Sequence, residues 1–201
     1  MQMKKVFIIN GGQVFGESNG KLNETISKWT TKHFQQQGAE IRITNVFEGY
    51  NAKAEVDSML WADLIIWHTP IWWFQLPFKL KQYIDEVLHD EGHGKLYKND
   101  GRTRSNPEIN YGRGGLLQGK QYMITSTWNA PKGAFTIDGE IMNLTDVDNG
   151  ILFGFHVAMS FIGLTKIDGF HFYDVMKGLT TERFENYRID YHQHLVNISN
   201  N

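Results

Sequence analysis

Apolar and polar positions follow two different periods along the chain. Lys5 to Asn10 and Leu64 to Trp67 are apolar almost throughout, a pattern typical of strands buried on both faces of a sheet. Gln121 to Thr127 is predicted to form a third strand of this inner set. Glu40 to Val46 and Lys166 to Tyr173 alternate between apolar and polar residues, which predicts two strands at the sheet edges.

Helical spacing of apolar residues predicts helices between and after these strands. One predicted helix follows Gly20 and ends at Gly38, and another begins at Pro77 and runs to about Leu88. The others are predicted over Ala54 to Trp61, Ile151 to Ile162 and Glu182 to Ile198. Five strands that alternate with helices indicate an α/β fold. We expect a three-layer sandwich, in which helices cover both faces of a five-stranded parallel sheet in the flavodoxin-like order 2-1-3-4-5.

Three large aromatic residues, Trp72, Trp73 and Phe74, follow the central strand. Thr69-Pro70 is predicted to end that strand, because proline fixes its own φ and holds the preceding residue out of the helical region. Ligands of open α/β sheets bind at the carboxyl ends of the strands. Aromatic rings at this place can therefore form the sides of a binding site for a flat ligand such as a flavin. Rings that fill the core or an oligomer interface explain the same residues equally well.

The first loop offers a place for an anion. Ser18-Asn19-Gly20 lies directly before a predicted helix, whose free N–H groups and dipole favour negative charge. An ordinary helix cap by Ser18 or Asn19 is the simpler interpretation of this stretch by itself. The turn Thr127 to Ala130 follows the fourth strand at the same predicted edge. Together the three loops offer phosphate ligation, flat walls and backbone N–H groups, which is the combination that a flavin needs.

Composition narrows the possible classes of function. The 201 residues, 41% of them hydrophobic, are enough for one core, so residues 1–201 are predicted to form one domain. The formal net charge of -2 gives no indication of binding to nucleic acid or to an anionic membrane. The absence of cysteine excludes thiolate catalysis and cysteine-type zinc sites. The N-terminal apolar run, Val6 to Ile9, is too short for a signal peptide or a membrane span, so we expect a cytoplasmic protein.

The segment His89 to Gly119 is long and irregular, and it is predicted to be a lid or a dimer arm. His89 and His93 are one helical turn apart, but Gly92 makes a helix there doubtful. We therefore predict no metal site in this segment.

Short motifs over nearly the whole chain match one known family in order. Two of them are specific: Pro70-x-Trp72-Trp73 and Thr127-Trp128-Asn129-Ala130-Pro131. The others are Ile8-Ile9-Asn10-Gly11, Ser18-Asn19-Gly20-x-Leu22-Asn23, Leu60-Trp61-Ala62-Asp63, Lys81-x-Tyr83-Ile84-Asp85, Glu91-Gly92-His93-Gly94-x-Leu96-Tyr97, Asp100-Gly101-Arg102-Thr103-Arg104, Tyr111-Gly112-x-Gly114-Gly115-Leu116 and His194-Leu195. In these motifs the chain resembles the modulator of drug activity B group, within the flavodoxin-like NAD(P)H:quinone oxidoreductases.

The resemblance implies a homodimer with one FAD per active site at the subunit interface. It implies ping-pong hydride transfer, two electrons at a time, from NADPH or NADH to the flavin and then to a quinone. The residues that would hold the FAD phosphates are Ser18, Asn19, Gly20, Lys21, Leu22, Asn23 and Thr25. The residues that would line the flavin are Pro70, Ile71, Trp72, Trp73, Phe74, Tyr111, Thr127, Trp128, Asn129 and Ala130. Ile71 departs from the glycine that we expect there in relatives.

Other readings of the same fold stay open at the level of sequence. An azoreductase or nitroreductase that uses FMN would share most of the site, and a flavin-binding regulatory subunit of a potassium efflux system is a different class of function. No residue is assigned as a catalytic acid or base, although Tyr111 is a candidate proton donor to the quinone. Arg102, Arg104 and Arg113 are candidates for binding a 2′-phosphate, and the motifs do not choose between NADPH and NADH.

Overall fold

A parallel sheet lies at the centre of the structure, a computed structural model that describes residues 4–200. The strands are β1 (Lys5–Asn10), β2 (Val14–Phe15), β3 (Ser18–Asn19), β4 (Glu40–Asn45), β5 (Leu64–Pro70), β6 (Gln121–Thr127), β7 (Thr165–Lys166) and β8 (Phe170–Phe172). The helices are α1 (Lys21–Gln36), α2 (Ala52–Trp61), α3 (Phe78–Asp85), α4 (Gly133–Thr136), α5 (Phe153–Phe161) and α6 (Thr181–Ser199).

The order of the strands in the sheet is β4-β1-β5-β6, and both β7 and β8 pair with β6 on its outer side. All these pairings are parallel, so the predicted order 2-1-3-4-5 is confirmed, with a fifth strand that is divided in two. The break between β7 and β8 includes Gly169, where a Cβ would lie 2.4 Å from the carbonyl oxygen of Ile124. The close approach of the two backbones at this point requires glycine.

Each face of the sheet is covered by its own set of helices. Along β1, Ile8 is buried against α1 and α6, whereas Phe7 and Ile9 are buried against α2, α3 and α5. This alternation explains the continuous apolar runs Val6 to Ile9 and Leu64 to Trp67, because successive side chains enter opposite cores. The predicted three-layer sandwich is confirmed.

Two predicted ends of elements differ from the structure. Strand β5 continues through Thr69 and Pro70 instead of ending before them. Proline is accommodated because the next residue, Ile71, donates its N–H to the carbonyl of Thr127 at 3.0 Å, so no ladder hydrogen bond needs an N–H from Pro70. Beyond Asp85, α3 continues as a π-helical segment over Glu86–Glu91, three residues past the predicted end at Leu88.

The segment from residue 92 to residue 120 has no helix or named strand, and isolated bridges such as His93 with Tyr97 hold it together. Among residues 4–200, no helix is both long enough and apolar enough to span a lipid bilayer.

Candidate functional site

A cavity of about 480 Å³ opens at the carboxyl edge of the sheet, where the loops after β1, β5, β6 and β8 meet. It brings together twelve of the residues predicted from the sequence: Ser18, Asn19, Gly20, Lys21, Leu22, Asn23, Thr25, Pro70, Ile71, Trp72, Thr127 and Asn129. Five further residues complete its lining: Glu17, Val175, Met176, Leu179 and Phe184.

The N-terminus of α1 forms one end of this cavity. Gly20 is its N-cap in a left-handed conformation (φ 71°) and provides no capping side chain, so neither Ser18 nor Asn19 is the N-cap. Asn19 accepts a hydrogen bond from the N–H of Lys21 at 3.1 Å, while no such bond is formed within residues 4–200 by the N–H groups of Leu22 and Asn23. Two free donors at the positive end of a 16-residue helix suit an anionic group.

Asn23 ties this helix to the sheet. Its Nδ2 donates to Thr127 Oγ1 at 3.2 Å, and its Oδ1 is buried without a hydrogen-bond partner. A buried acceptor without a partner is costly, so a ligand hydroxyl or N–H that reached Oδ1 would be favoured. This orphaned atom in the lining, together with the free N–H groups, fits a phosphorylated, hydroxyl-bearing cofactor.

The aromatic segment after β5 folds into a very tight turn. Trp72 and Gln75 exchange two backbone hydrogen bonds of 3.0 Å, and the two residues between them, Trp73 and Phe74, have φ values of 47° and 60°. Large side chains rarely adopt this conformation, and strain of this kind concentrates at functional sites. The turn directs Trp72 toward the first loop, where its ring stacks with Phe15 at a centroid distance of 5.2 Å.

Five predicted site residues lie outside the cavity lining. Trp73 is 91% exposed on the tip of its turn, with Phe74 beside it, and Ala130 packs against the core. Trp128 is buried, and its indole N–H donates to Ser126 Oγ at 2.6 Å. Tyr111 lines a separate cavity between α3 and α5, where it packs against Phe161. Their contacts with a cofactor stay predictions.

One wall of the cavity was not predicted from the sequence; it is formed by Val175, Met176, Leu179 and Phe184. This wall follows β8, so the carboxyl end of the fifth predicted strand was the available signal. Hydrogen bonds between distant residues hold it in place: the N–H of Val175 donates to the carbonyl of Trp128 at 3.0 Å.

A buried polar cluster lies two residues before Pro70 on β5. Fully buried His68 contacts Thr125 Oγ1 through Nδ1 at 2.6 Å and Thr30 Oγ1 through Nε2 at 3.1 Å. The hydroxyl of Thr30 donates to the carbonyl of Ile26, so Thr30 accepts from Nε2–H and Nδ1 accepts from Thr125. Burial lowers the pKa of His68 to about 3, which keeps the ring neutral in this arrangement.

Comparisons with known proteins agree with this fold. A family model described as a flavodoxin-like fold matches residues 4–195. NADPH:quinone oxidoreductase MdaB of Haemophilus influenzae is 42% identical over 193 residues, covering 96% of this chain and 98% of that protein. An uncharacterised protein of Schizosaccharomyces pombe is 44% identical over 173 residues, covering 86% of this chain and 87% of its own.

Solved structures share the architecture at low sequence identity. A Klebsiella pneumoniae protein described as a candidate quinone reductase superposes with a TM-score of 0.74 at 22% identity, covering 98% of this chain and 85% of that one. General stress protein 14 of Treponema denticola, solved in complex with FMN, has a TM-score of 0.67 at 18% identity and covers 98% of both chains. The chain therefore belongs to the flavodoxin-like family and, within it, to the modulator of drug activity B group.

Proposed function

We propose that this protein is an FAD-dependent NAD(P)H:quinone oxidoreductase that works by two-electron, ping-pong transfer. The observation that carries the proposal is the cavity at the carboxyl edge of the sheet, which joins the anion-binding start of α1 to the Ile71 and Trp72 wall. The Haemophilus relative, named for NADPH and quinone, supports the same function. NADPH or NADH is the proposed electron donor, and the relative's name favours NADPH.

The chain's own residues would bind and orient the cofactor. The free N–H groups of Leu22 and Asn23 would hold the phosphate of the cofactor. Asn23 Oδ1 would accept from a hydroxyl on the part of the cofactor that links its phosphate to its flavin ring. The flavin ring would lie between Trp72, Ile71 and the turn from Thr127 to Asn129. When bound, the flavin supplies the hydride chemistry, so the proposed reaction needs no nucleophile from the protein.

The far wall of the cavity favours FAD over FMN. Val175, Met176, Leu179 and Phe184 lie beside the N-terminus of α1 and offer apolar surface next to the proposed phosphate site. FMN ends at its phosphate, whereas FAD continues into an adenosine whose flat base suits such a surface. This wall is the reason for proposing FAD, although a Treponema neighbour was solved with FMN.

A homodimer is the proposed assembly. An apolar face formed by α3 and α5 contains two adjoining cavities of about 620 and 500 Å³. On this face Phe78, Phe153 and Val157 are 54%, 60% and 47% exposed. Exposed apolar surface of this kind marks an interaction site, and a second copy of the chain would cover it.

An absorption spectrum of the purified protein, with the cofactor identified after denaturation, tests the proposal first. Flavin bands, released FAD and fast quinone turnover with NADPH or NADH are the expected result. Released FMN would favour the azoreductase or nitroreductase alternative. Bound FAD without turnover of the isolated protein would favour a regulatory subunit, and no flavin after soaking with FAD would refute the proposed function.

A further inference from the structure

A branched hydrogen-bond network centres on Asp148, outside the lining of the cofactor cavity. Asp148 Oδ1 lies 3.0 Å from His156 Nε2 and 3.5 Å from His171 Nε2, while Oδ2 contacts the ammonium group of Lys166. These residues come from α5, from β7 and β8, and from the segment Val147–Ile151. One carboxylate therefore joins its own segment to α5 and to both halves of the fifth strand.

The ionised state of Asp148 determines which atoms donate and which accept along the network. Burial raises the pKa of this carboxyl, but hydrogen bonds from His156, His171 and Lys166 outweigh burial and hold the pKa well below its usual value. A carboxylate only accepts, so His156 donates to it through Nε2–H at 3.0 Å, and His171 Nε2 faces the same carboxylate oxygen at the longer distance of 3.5 Å. With the proton on Nε2, an imidazole accepts through Nδ1.

Two branches leave the carboxylate and end differently. In one, His171 Nδ1 accepts from the Ser126 hydroxyl at 2.7 Å, and Ser126 Oγ accepts from the indole N–H of Trp128 at 2.6 Å. In the other, His156 Nδ1 accepts from the Tyr122 hydroxyl at 2.8 Å. The first branch leads to the turn at the cofactor cavity, whereas the second ends within the sheet.

Trp128 joins two walls of the cavity. Its chain neighbours Thr127 and Asn129 line one wall, and its carbonyl accepts from the N–H of Val175 on the other at 3.0 Å. The ring is buried, so its position is determined by core packing and by the single polar contact with Ser126. An indole that shifts would move the backbone of both walls.

We propose that Asp148 is a positioning residue for the cofactor site. It acts through His171 and Ser126 to fix the indole of Trp128, and thereby holds both walls of the cavity in the geometry that binds flavin. The inference rests on the proposed function, and preorganisation of this kind improves affinity because less ordering remains to be done on binding.

Two substitutions provide a matched test, because each removes one hydroxyl that donates to an imidazole of the same network. Ser126→Ala cuts the branch to Trp128, and Tyr122→Phe cuts the other branch. The first measurement is the Kd of FAD for flavin-stripped protein. The second is hydrogen exchange of the Trp128 indole N–H in the same protein without flavin, followed by NMR.

For Ser126→Ala we expect about tenfold weaker flavin binding and about tenfold faster indole exchange, the size of effect that one buried hydrogen bond produces. Tyr122→Phe should leave both quantities within about twofold of the parent protein, although it too removes a buried hydrogen bond. Ser126→Thr, which keeps the hydroxyl, should restore tight binding. Asp148→Asn should behave like Ser126→Ala.

Equal effects of Ser126→Ala and Tyr122→Phe on the Kd would overturn the proposal, because the network would then support only the general stability of the fold. Thermal unfolding of both variants shows whether their losses of stability match. If the parent protein binds no flavin, the proposed function fails, and indole exchange still decides the positioning role: an unchanged rate in Ser126→Ala rejects it.

Discussion

At the scale of single residues, burial lowers the pKa of the His68 imidazole. The folded pKa of about 3 lies below the value of about 6.5 for an exposed histidine, so the unfolded chain binds more protons between these pH values. The stability that neutral His68 contributes is complete above pH 6.5 and is lost progressively as the pH falls through this window.

His68→Gln tests this linkage. A carboxamide can donate to Thr30 and accept from Thr125 as the neutral ring does, but it does not titrate. We expect the parent protein to lose about 2 kcal/mol more unfolding free energy than the variant between pH 6 and pH 4.5. Urea unfolding at several pH values measures both slopes. Parallel slopes would show that residue 68 binds protons equally in the folded and unfolded protein, so that burial does not lower the pKa of His68.

Trp73 has a strained backbone conformation, and its side chain makes little packing contact that could offset the strain. Its φ is 47° and its side chain is 91% exposed, so the turn is not explained by stability. Trp73→Asn should raise the unfolding free energy by about 1 kcal/mol, because asparagine tolerates this conformation. We expect the same variant to lower kcat/KM for quinone at least about tenfold, since it removes an exposed ring that is predicted to contact the flavin from beside the cavity.

Trp73→Phe is the matched control for that change. It keeps both the strain and an aromatic ring, so stability should stay the same and most of the activity should remain. Full activity of Trp73→Asn in steady-state kinetics would place Trp73 outside the reaction.

At the scale of elements, α1 has a glycine in the left-handed conformation at each end. Gly20 has φ 71° at the cavity, and a Cβ there would lie 3.4 Å from the backbone of Gln13. Gly38 has φ 81° at the other end of the helix, where a Cβ would meet nothing within 4 Å. The left-handed backbone conformation at both positions favours glycine.

Gly20→Ala and Gly38→Ala should therefore each cost about 1 kcal/mol of unfolding free energy. Only Gly20→Ala should weaken flavin binding, because only that end of α1 holds the proposed phosphate site. Chemical unfolding and flavin titration of the two variants separate these effects. A loss of affinity in Gly38→Ala as well would mean that strain anywhere in α1 reaches the site.

Elements with a clear period were predictable from the sequence, and those fixed by contacts between distant residues were not. The buried strands β1 and β5 were recognised by their apolar runs, Val6 to Ile9 and Leu64 to Trp67. The break between β7 and β8 depends on the contact of Gly169 with Ile124, which no local pattern reveals.

The same distinction applies to the candidate site. The loops after β1, β5 and β6 were predicted because glycine, proline and aromatic residues mark them in the chain. The wall at Val175 was missed because its position depends on a hydrogen bond to Trp128, 47 residues earlier (175 minus 128). Trp128 is part of a family motif, and the structure buries its ring beneath the turn instead of exposing it to the cavity.

At the scale of the whole molecule, net charge and exposed apolar surface both bear on association between copies. The formal net charge is only -2, so overall repulsion between copies is weak. The α3 and α5 face exposes apolar side chains around two cavities, and Tyr111 from the long irregular segment lies at its border. The proposed dimer would bury this face and bring the long segment of each copy close to the other.

Val157→Glu tests this assembly against a matched substitution on the opposite side. Val157 on α5 is 47% exposed, and Ile189 on α6 is 54% exposed. A charge buried in an interface is costly, so Val157→Glu should yield monomers of 23.2 kDa by light scattering, whereas Ile189→Glu should leave the dimer intact. Quinone turnover should fall with the dimer in the first variant only. A parent protein that is monomeric at all concentrations would contradict the assembly, and a monomeric variant with full turnover would show that one chain contains the complete site.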